Sequence, residues 1–198
     1  MPLEKEKALE IPTRIVREAA RLFSRYGYAT TSVDLVVREL RLSTSTDYFD
    51  DLETLAKAAF EYGIERSDRL LDAAVCGHKG TVDRLAGLVC GFRALVDNPP
   101  DEGLCPVFSF SPSVAGALPF VRSSAQQAVS RWRHRIRQLL RTGIKNGEIL
   151  PGVDPEEVSS IFLSTLEGAA VMYHLYDDAS HLDRAQKHLY AYIDEIAS

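Results

Sequence analysis

Val33, Val36, Val37 and Leu40 recur at helical spacing in a window too short to bury its apolar face alone. In front of them, Thr31-Ser32-Val33-Asp34 reads as a helix start. A hydroxyl there caps the free amides, and Asp34 stands three residues after Thr31, where a reciprocal capping contact falls. Arg41-Leu42-Ser43 interrupts the pattern. Ser43 reads as a second N-cap, followed by another short helix through Thr44, Ser45, Thr46, Asp47 and Tyr48. Two short helices joined by a tight turn make a helix-turn-helix pattern. In that motif the N-terminal residues of the second helix face base edges in the major groove.

Such a unit needs a neighbour to cover it, and the chain just before it supplies one. Ile15, Ala19, Leu22, Phe23 and Tyr26 form one face of a helix that Gly27 ends, and this face is expected to pack on Val33, Val36, Val37 and Leu40. Residues 1–9 are charged and are expected to fray. After Tyr48, Asp50-Asp51 marks a further helix start, where negative charge suits the helix dipole. Leu52, Leu55, Ala56, Ala59, Phe60 and Ile64 continue at helical spacing to about Val75.

The remainder is also helical in pattern. Thr81 is expected to cap a helix carrying Val82, Leu85, Val89, Phe92 and Val96, and Asn98 to Gly103 is a loop. Residues 107–117 are apolar but broken by Pro112 and Gly116, and one short helix is expected there. Pro119 opens a long helix in which Val121, Ala125, Ala128, Val129, Trp132, Ile136, Leu139, Leu140 and Ile144 repeat nearly as heptads. Gly147 stops it. Asp154-Pro155-Glu156-Glu157 combines an N-cap, a proline at the first position and a glutamate three after the cap. The helix it starts carries Val158, Ile161, Phe162, Leu166, Ala169 and Tyr173, with a row of small residues at Ser160, Ser164 and Gly168. A last helix is expected from about Leu182 to Ile196. With no strand pattern, the fold class is all-α.

The chain has 198 residues and a net charge of −5, which is not the balance of a protein that coats nucleic acid indiscriminately. No basic start followed by an apolar run indicates a secretory signal, and no apolar stretch approaches the roughly 20 residues that span a bilayer. Cys76, Cys90 and Cys105 are odd in number and fit no zinc spacing, which suits reduced thiols in a cytoplasm. Arg131, Arg133, Arg135, Arg137 and Arg141 lie between the apolar positions of their helix. They read as a solvated or salt-bridged face rather than a nucleic-acid site. Asp177, Asp178 and His181 read as a polar connection rather than a cation site. No phosphate loop, nucleophile elbow or catalytic cluster is present, and no enzyme activity, cofactor or metal is expected.

The first part of the chain resembles the DNA-binding part of TetR-family transcriptional regulators. The residues that carry the likeness are Ile15, Ala19, Ala20, Leu22, Phe23, Tyr26-Gly27-Tyr28, Thr31-Ser32-Val33, Val36, Leu42-Ser43, Tyr48-Phe49 and Glu53-Thr54-Leu55. Further on, Gly103-Leu104-Cys105-Pro106-Val107, Trp132, Gly143 to Ile149 and Leu166-Glu167-Gly168-Ala169 are similar to the ligand-binding domain of one TetR branch. The sequence departs from the family pattern between Ser43 and Phe49. That segment is about two residues shorter, and Thr44 and Ser45 stand where a basic residue and a glycine are usual.

The resemblance implies a helix-turn-helix head over residues 1–48 and a ligand-binding and dimerisation body over 49–198. DNA contacts are expected from Thr31, Ser32, Ser43, Thr44, Ser45, Thr46 and Tyr48, with Arg25 and Arg41 on phosphates. In the body, Phe92, Phe108, Phe110, Trp132 and Tyr173 are expected around one cavity, with Arg93, Glu167 and His174 as polar contacts. Cys105, just before a helix start, is by default a buried inert cysteine, and the sharper reading makes it a reactive thiol that senses oxidants or electrophiles. The expected partners are operator DNA, a small-molecule effector, and a second copy packed through residues 155–176 and 182–196. The expected function is a ligand-responsive regulator, a repressor released from its operator by a small molecule or an electrophile. Residues 31–55 hold Arg38 and Arg41 against Asp34, Glu39, Asp47, Asp50, Asp51 and Glu53. That acidity motivates an alternative, a dimeric helical sensor of the same fold that no longer binds specific DNA and acts through a ligand or a protein partner.

Overall fold

The computed structural model describes the backbone of residues 2–42, 48–97 and 118–198, with side chains from residue 11 onward. Seven helices lie in these segments: α1 (Pro2–Tyr26), α2 (Val33–Glu39), α3 (Leu52–Val75), α4 (Thr81–Asp97), α5 (Pro119–Asn146), α6 (Pro155–Tyr176) and α7 (Ser180–Ile196). The all-α expectation holds. Two compact units result, Met1–Arg66 with Asn98–Ala125, and Ser67–Asp97 with Gln126–Ser198. The expected second helix of the helix-turn-helix and the short helix at 107–117 lie mostly or wholly outside the described residues.

In the first unit α1 packs on α2, burying Ile15, Ala19, Leu22 and Phe23 together with Val36 and Val37. On the α3 side of this unit Leu55, Ala56, Ala59, Phe60 and Ile64 are buried. Helix α1 starts at Pro2, so residues 2–9 are helical rather than frayed. The reason is local: Leu3 to Glu10 consists wholly of strong helix formers, and proline suits a first helical position. Pro12 lies inside α1, where its missing N–H deprives the residue 8 carbonyl of its helical donor. Gly27 ends the helix with φ +85°, a conformation glycine adopts without steric cost.

The start of α2 differs from expectation by one residue. The cap is Ser32, whose Oγ accepts from the Leu35 N–H at 3.1 Å. Thr31 is buried and its hydroxyl donates to the Gly27 carbonyl at 2.9 Å, which ties the turn rather than the helix. The cap of α2 is therefore Ser32 and not Thr31.

The second unit is built on α4, α6 and α7, with α7 packed on both of the others. Gly87 and Gly91 let α4 approach the end of α3. A Cβ on Gly87 would stand 2.4 Å from the Ala74 carbonyl oxygen, and one on Gly91 would stand 2.5 Å from the Ala74 Cβ. Thr81 is the first helical residue of α4 rather than its cap. Gly80 precedes it without a side chain, and the Thr81 N–H donates to the Glu148 carboxylate instead. Asp154 caps α6 as expected, accepting from the Glu156 N–H at 2.9 Å, with Pro155 opening the helix. The last residues are tied to the α5–α6 connection, with the Leu150 N–H donating to the Ile196 carbonyl at 2.9 Å.

Candidate functional site

Within the second unit, α3, α4, α5 and α6 enclose a cavity of about 20 Å3. The described residues lining it are Leu71 on α3, Leu88 and Phe92 on α4, Trp132, Arg135 and Ile136 on α5, and Phe162, Leu163 and Leu166 on α6. The helical patterns explain the convergence. Trp132, Arg135 and Ile136 stand three and four apart on one face of α5, and Phe162, Leu163 and Leu166 do the same on α6. The volume admits one water-sized group.

One edge of the cavity is held by an ionic ladder between α3 and α5. Asp68 accepts from the Trp132 Nε1–H at 2.7 Å and from Arg131 at 3.0 Å. One turn further along α3, Asp72 pairs with Arg135 Nη2 at 2.6 Å. The other terminal nitrogen of Arg135, Nη1, is buried and has no hydrogen-bond partner. Arg133 and Arg137 turn to Glu156, at 3.3 and 2.6 Å. The arginine series on α5 is thus largely salt-bridged, and one of its members reaches an apolar cavity.

Of the ligand-contact residues expected from the sequence, Phe92 and Trp132 come together in the cavity wall. The others described take different places. Arg93 pairs with Asp97 and, at 2.6 Å, with Asp183. Glu167 is partly buried on α6, its Oε1 has no hydrogen-bond partner, and burial pushes its carboxyl up. Tyr173 and His174 meet edge to face at 4.9 Å near the end of α6, and burial pushes the His174 imidazole down. Cys105, Phe108 and Phe110 lie outside the described residues. Arg135, which the sequence reading assigned to a salt-bridged face, lines the cavity through its aliphatic stem while its guanidinium pairs with Asp72. Its spacing of three from Trp132 was the available signal, masked by four other arginines on the same helix.

The expected DNA-contact residues fall into three groups. Arg25 is exposed at the end of α1, with its guanidinium 5.3 Å from the Tyr26 ring centre. Thr31 and Ser32 have their hydroxyls engaged at the α1–α2 turn and the α2 cap. Arg41 is exposed at the end of α2 with φ +55°, the Arg41 and Leu42 N–H groups donating to the Arg38 and Val37 carbonyls at 3.0 and 3.1 Å. That pair of bonds is a Schellman closure, which usually places glycine where Arg41 stands. Tyr48 is half-buried in the turn before α3. Ser43, Thr44, Ser45 and Thr46 lie outside the described residues. A second concavity, of about 540 Å3, runs between α1 and α2 and is lined by charged and polar side chains including Arg21, Arg25 and Glu39.

On the outer side of α6, Ser164, Gly168, Val171 and Leu175 are exposed and follow one another at intervals of four, three and four, with Met172 and Tyr176 beside them. Val171 is 53% and Leu175 68% accessible. This is a heptad seam with nothing against it among the described residues. After α6, Asp178 accepts from both the Ser180 N–H and hydroxyl, at 2.9 and 2.7 Å, as a local cap for α7. Among the described residues no group of His, Cys, Asp and Glu converges as metal ligands, and no helix is long and apolar enough to cross a membrane.

The family model described as the Tetracyclin repressor-like C-terminal domain matches residues 81–189. A TetR transcriptional regulator from Chloroflexus aurantiacus J-10-FL superposes with a TM-score of 0.90 at 32% identity, over 97% of this chain and 98% of that one. A TetR-family regulator from Cytophaga hutchinsonii gives 0.84 at 20% identity, over 95% of each chain. A protein from Saccharomonospora viridis solved in complex with choline gives 0.83 at 22% identity, over 96% of this chain and 98% of that one. A comparison with curated proteins finds no match. The chain belongs to the TetR family of transcriptional regulators.

Proposed function

We propose that this protein is a ligand-responsive repressor. It binds operator DNA in the cytoplasm as a homodimer and is released when a small molecule enters the cavity between α3, α4, α5 and α6. The observation that carries the reading is the size and siting of that cavity. Its walls are apolar and aromatic, most of its lining lies in the span matched by the family model, and about 20 Å3 holds no metabolite. An effector must therefore part the helices that enclose it. The empty and occupied forms then differ in shape, as a ligand-driven population shift requires.

Support for the dimer comes from the exposed seam on α6, with Tyr190 on α7 adding apolar surface. Two-fold DNA sites match two-fold proteins, because two heads must meet successive major grooves. On each head, Ser43, Thr44, Ser45, Thr46 and Tyr48 are the proposed base-reading residues, with Arg25 and Arg41 on the phosphates. The acidity of the neighbouring segment favours a second reading, a dimeric sensor that has lost specific DNA binding.

The test is fluorescence anisotropy of DNA from upstream of the protein's own gene, titrated with protein across a salt series, with scrambled DNA as control. A repressor of its own gene binds the native DNA more tightly, and weakens as salt rises. Equal, weak binding to both at low salt, repeated across the neighbouring promoters, would move the assignment to the second reading.

A further inference from the structure

The cavity between α3, α4, α5 and α6 has no polar atom on its surface. Leucine, isoleucine, phenylalanine and tryptophan side chains form its wall, together with the aliphatic stem of Arg135. The polar groups that two of these side chains carry are engaged outside it. The Trp132 Nε1–H donates to Asp68 at 2.7 Å, and the Arg135 guanidinium pairs with Asp72 at 2.6 Å. Every wall residue stands inside a helix, where backbone N–H and carbonyl groups bond to one another. Glu167 follows Leu166 in sequence, but its carboxyl does not line the cavity. A hydrogen-bonding group brought into this space gives up its water and finds no partner, a cost that an alkyl or aryl group does not meet. A void lined in this way stays dry and accepts apolar guests. An effector that parts the helices meets more of the same side chains as the space widens.

We propose that the cavity selects an uncharged, hydrocarbon-like molecule, an alkyl chain or an alkyl-substituted aromatic ring whose buried part carries no hydrogen-bonding group. That such a molecule is the effector rests on the cavity being the effector site. Selection here works by desolvation, since the wall offers polar and charged molecules nothing in exchange for their water. Trp132, Phe92 and Phe162 supply the aromatic part of the apolar surface. Asp68 and Asp72 keep the space apolar by holding the indole N–H and the guanidinium outside it.

The cavity carries its own reporter, because Trp132 is the one tryptophan in the chain. The experiment follows Trp132 emission of the full-length protein on titration with four probes sharing a phenylbutyl-like body. These are butylbenzene with no polar group, benzylacetone with a carbonyl, phenylbutyrate with a carboxylate, and phenylbutyl-trimethylammonium with a cation. Butylbenzene is expected to saturate at one molecule per chain and to bind roughly tenfold to a hundredfold more tightly than benzylacetone, with the charged probes weaker still. Leu88→Ala, or the milder Ile136→Val, enlarges the space and is expected to tighten butylbenzene by roughly threefold while leaving the order of the probes unchanged. If benzylacetone or either charged probe binds as well as butylbenzene to the unaltered protein, the apolar selection fails and the cavity assignment stands. If butylbenzene binds best but leaves operator binding unchanged, the selection stands and the cavity is not the effector site. If no probe perturbs Trp132, both fail.

Discussion

Arg41 holds a backbone conformation that costs an L-residue with a Cβ about 1–2 kcal/mol relative to glycine. The Schellman closure of α2 demands that conformation, and the side chain it carries is exposed. A cation kept where glycine is cheaper fits a phosphate contact at the mouth of the helix-turn-helix. Arg41→Gly is therefore expected to raise unfolding stability by roughly 1 kcal/mol in urea, while weakening operator binding and flattening its salt dependence by about one counterion. Unchanged DNA affinity in this variant would remove Arg41 from the interface. The residue was legible as a candidate from charge and position alone. Its strain was not, because the φ angle is set by how α2 ends. The same limit applied to Thr31 and Ser32. Their types announce a helix start, but only the burial of Thr31 against the α1–α2 turn decides which of the two hydroxyls does the capping.

Helix α4 shows what an element borrows from distant chain. Gly80 precedes it and has no side chain with which to cap, and the Glu148 carboxylate, beyond the end of α5, takes the Thr81 N–H. That bond and the Asn146 amide hold the Glu148 carboxyl below the usual carboxylate range. A carboxyl lowered in the folded state stabilises fully above its unfolded pKa. The stabilisation fades as pH falls toward the folded value, because protonation removes the acceptor. Glu148→Gln is expected to lower the melting temperature at neutral pH, and the two curves should converge in acid below the folded pKa. A melting difference that stays constant across that range would assign the contact no role in stability. Helical periodicity revealed α4 and its apolar face. It placed the cap on Thr81, since local sequence cannot see a partner 67 positions away.

For the whole molecule, the exposed seam on α6 ends in Val171, Met172, Leu175 and Tyr176, a run of apolar side chains that a lone chain leaves in water. Leu175→Glu is expected to convert the proposed dimer to a monomer in sedimentation velocity. The monomer's fold should be intact, since the position is 68% accessible, and its affinity for a two-fold operator should fall by tenfold or more. A Leu175→Glu protein that sediments unchanged would place the dimer interface elsewhere. In the proposed mechanism this interface couples cavity to DNA, because a ligand that parts helices in each chain would act on a two-fold operator by changing the relation between the two heads.

The sequence by itself determined the class of fold, because apolar residues at intervals of three and four specify helices wherever they occur. Its strongest signals, Gly27, Asp154-Pro155 and Gly147, fixed helix ends through backbone chemistry that acts over a few residues. It also named Phe92 and Trp132, since large apolar side chains have few places to go but inside. Only the tertiary structure decided which charged residue lays its aliphatic stem beside them. Arg93 is drawn to Asp97 and Asp183 on the surface, whereas Arg135 is drawn by Asp72 to the cavity wall. An arginine's long side chain can reach several partners, and the carboxylate it finds depends on which helix packs beside it.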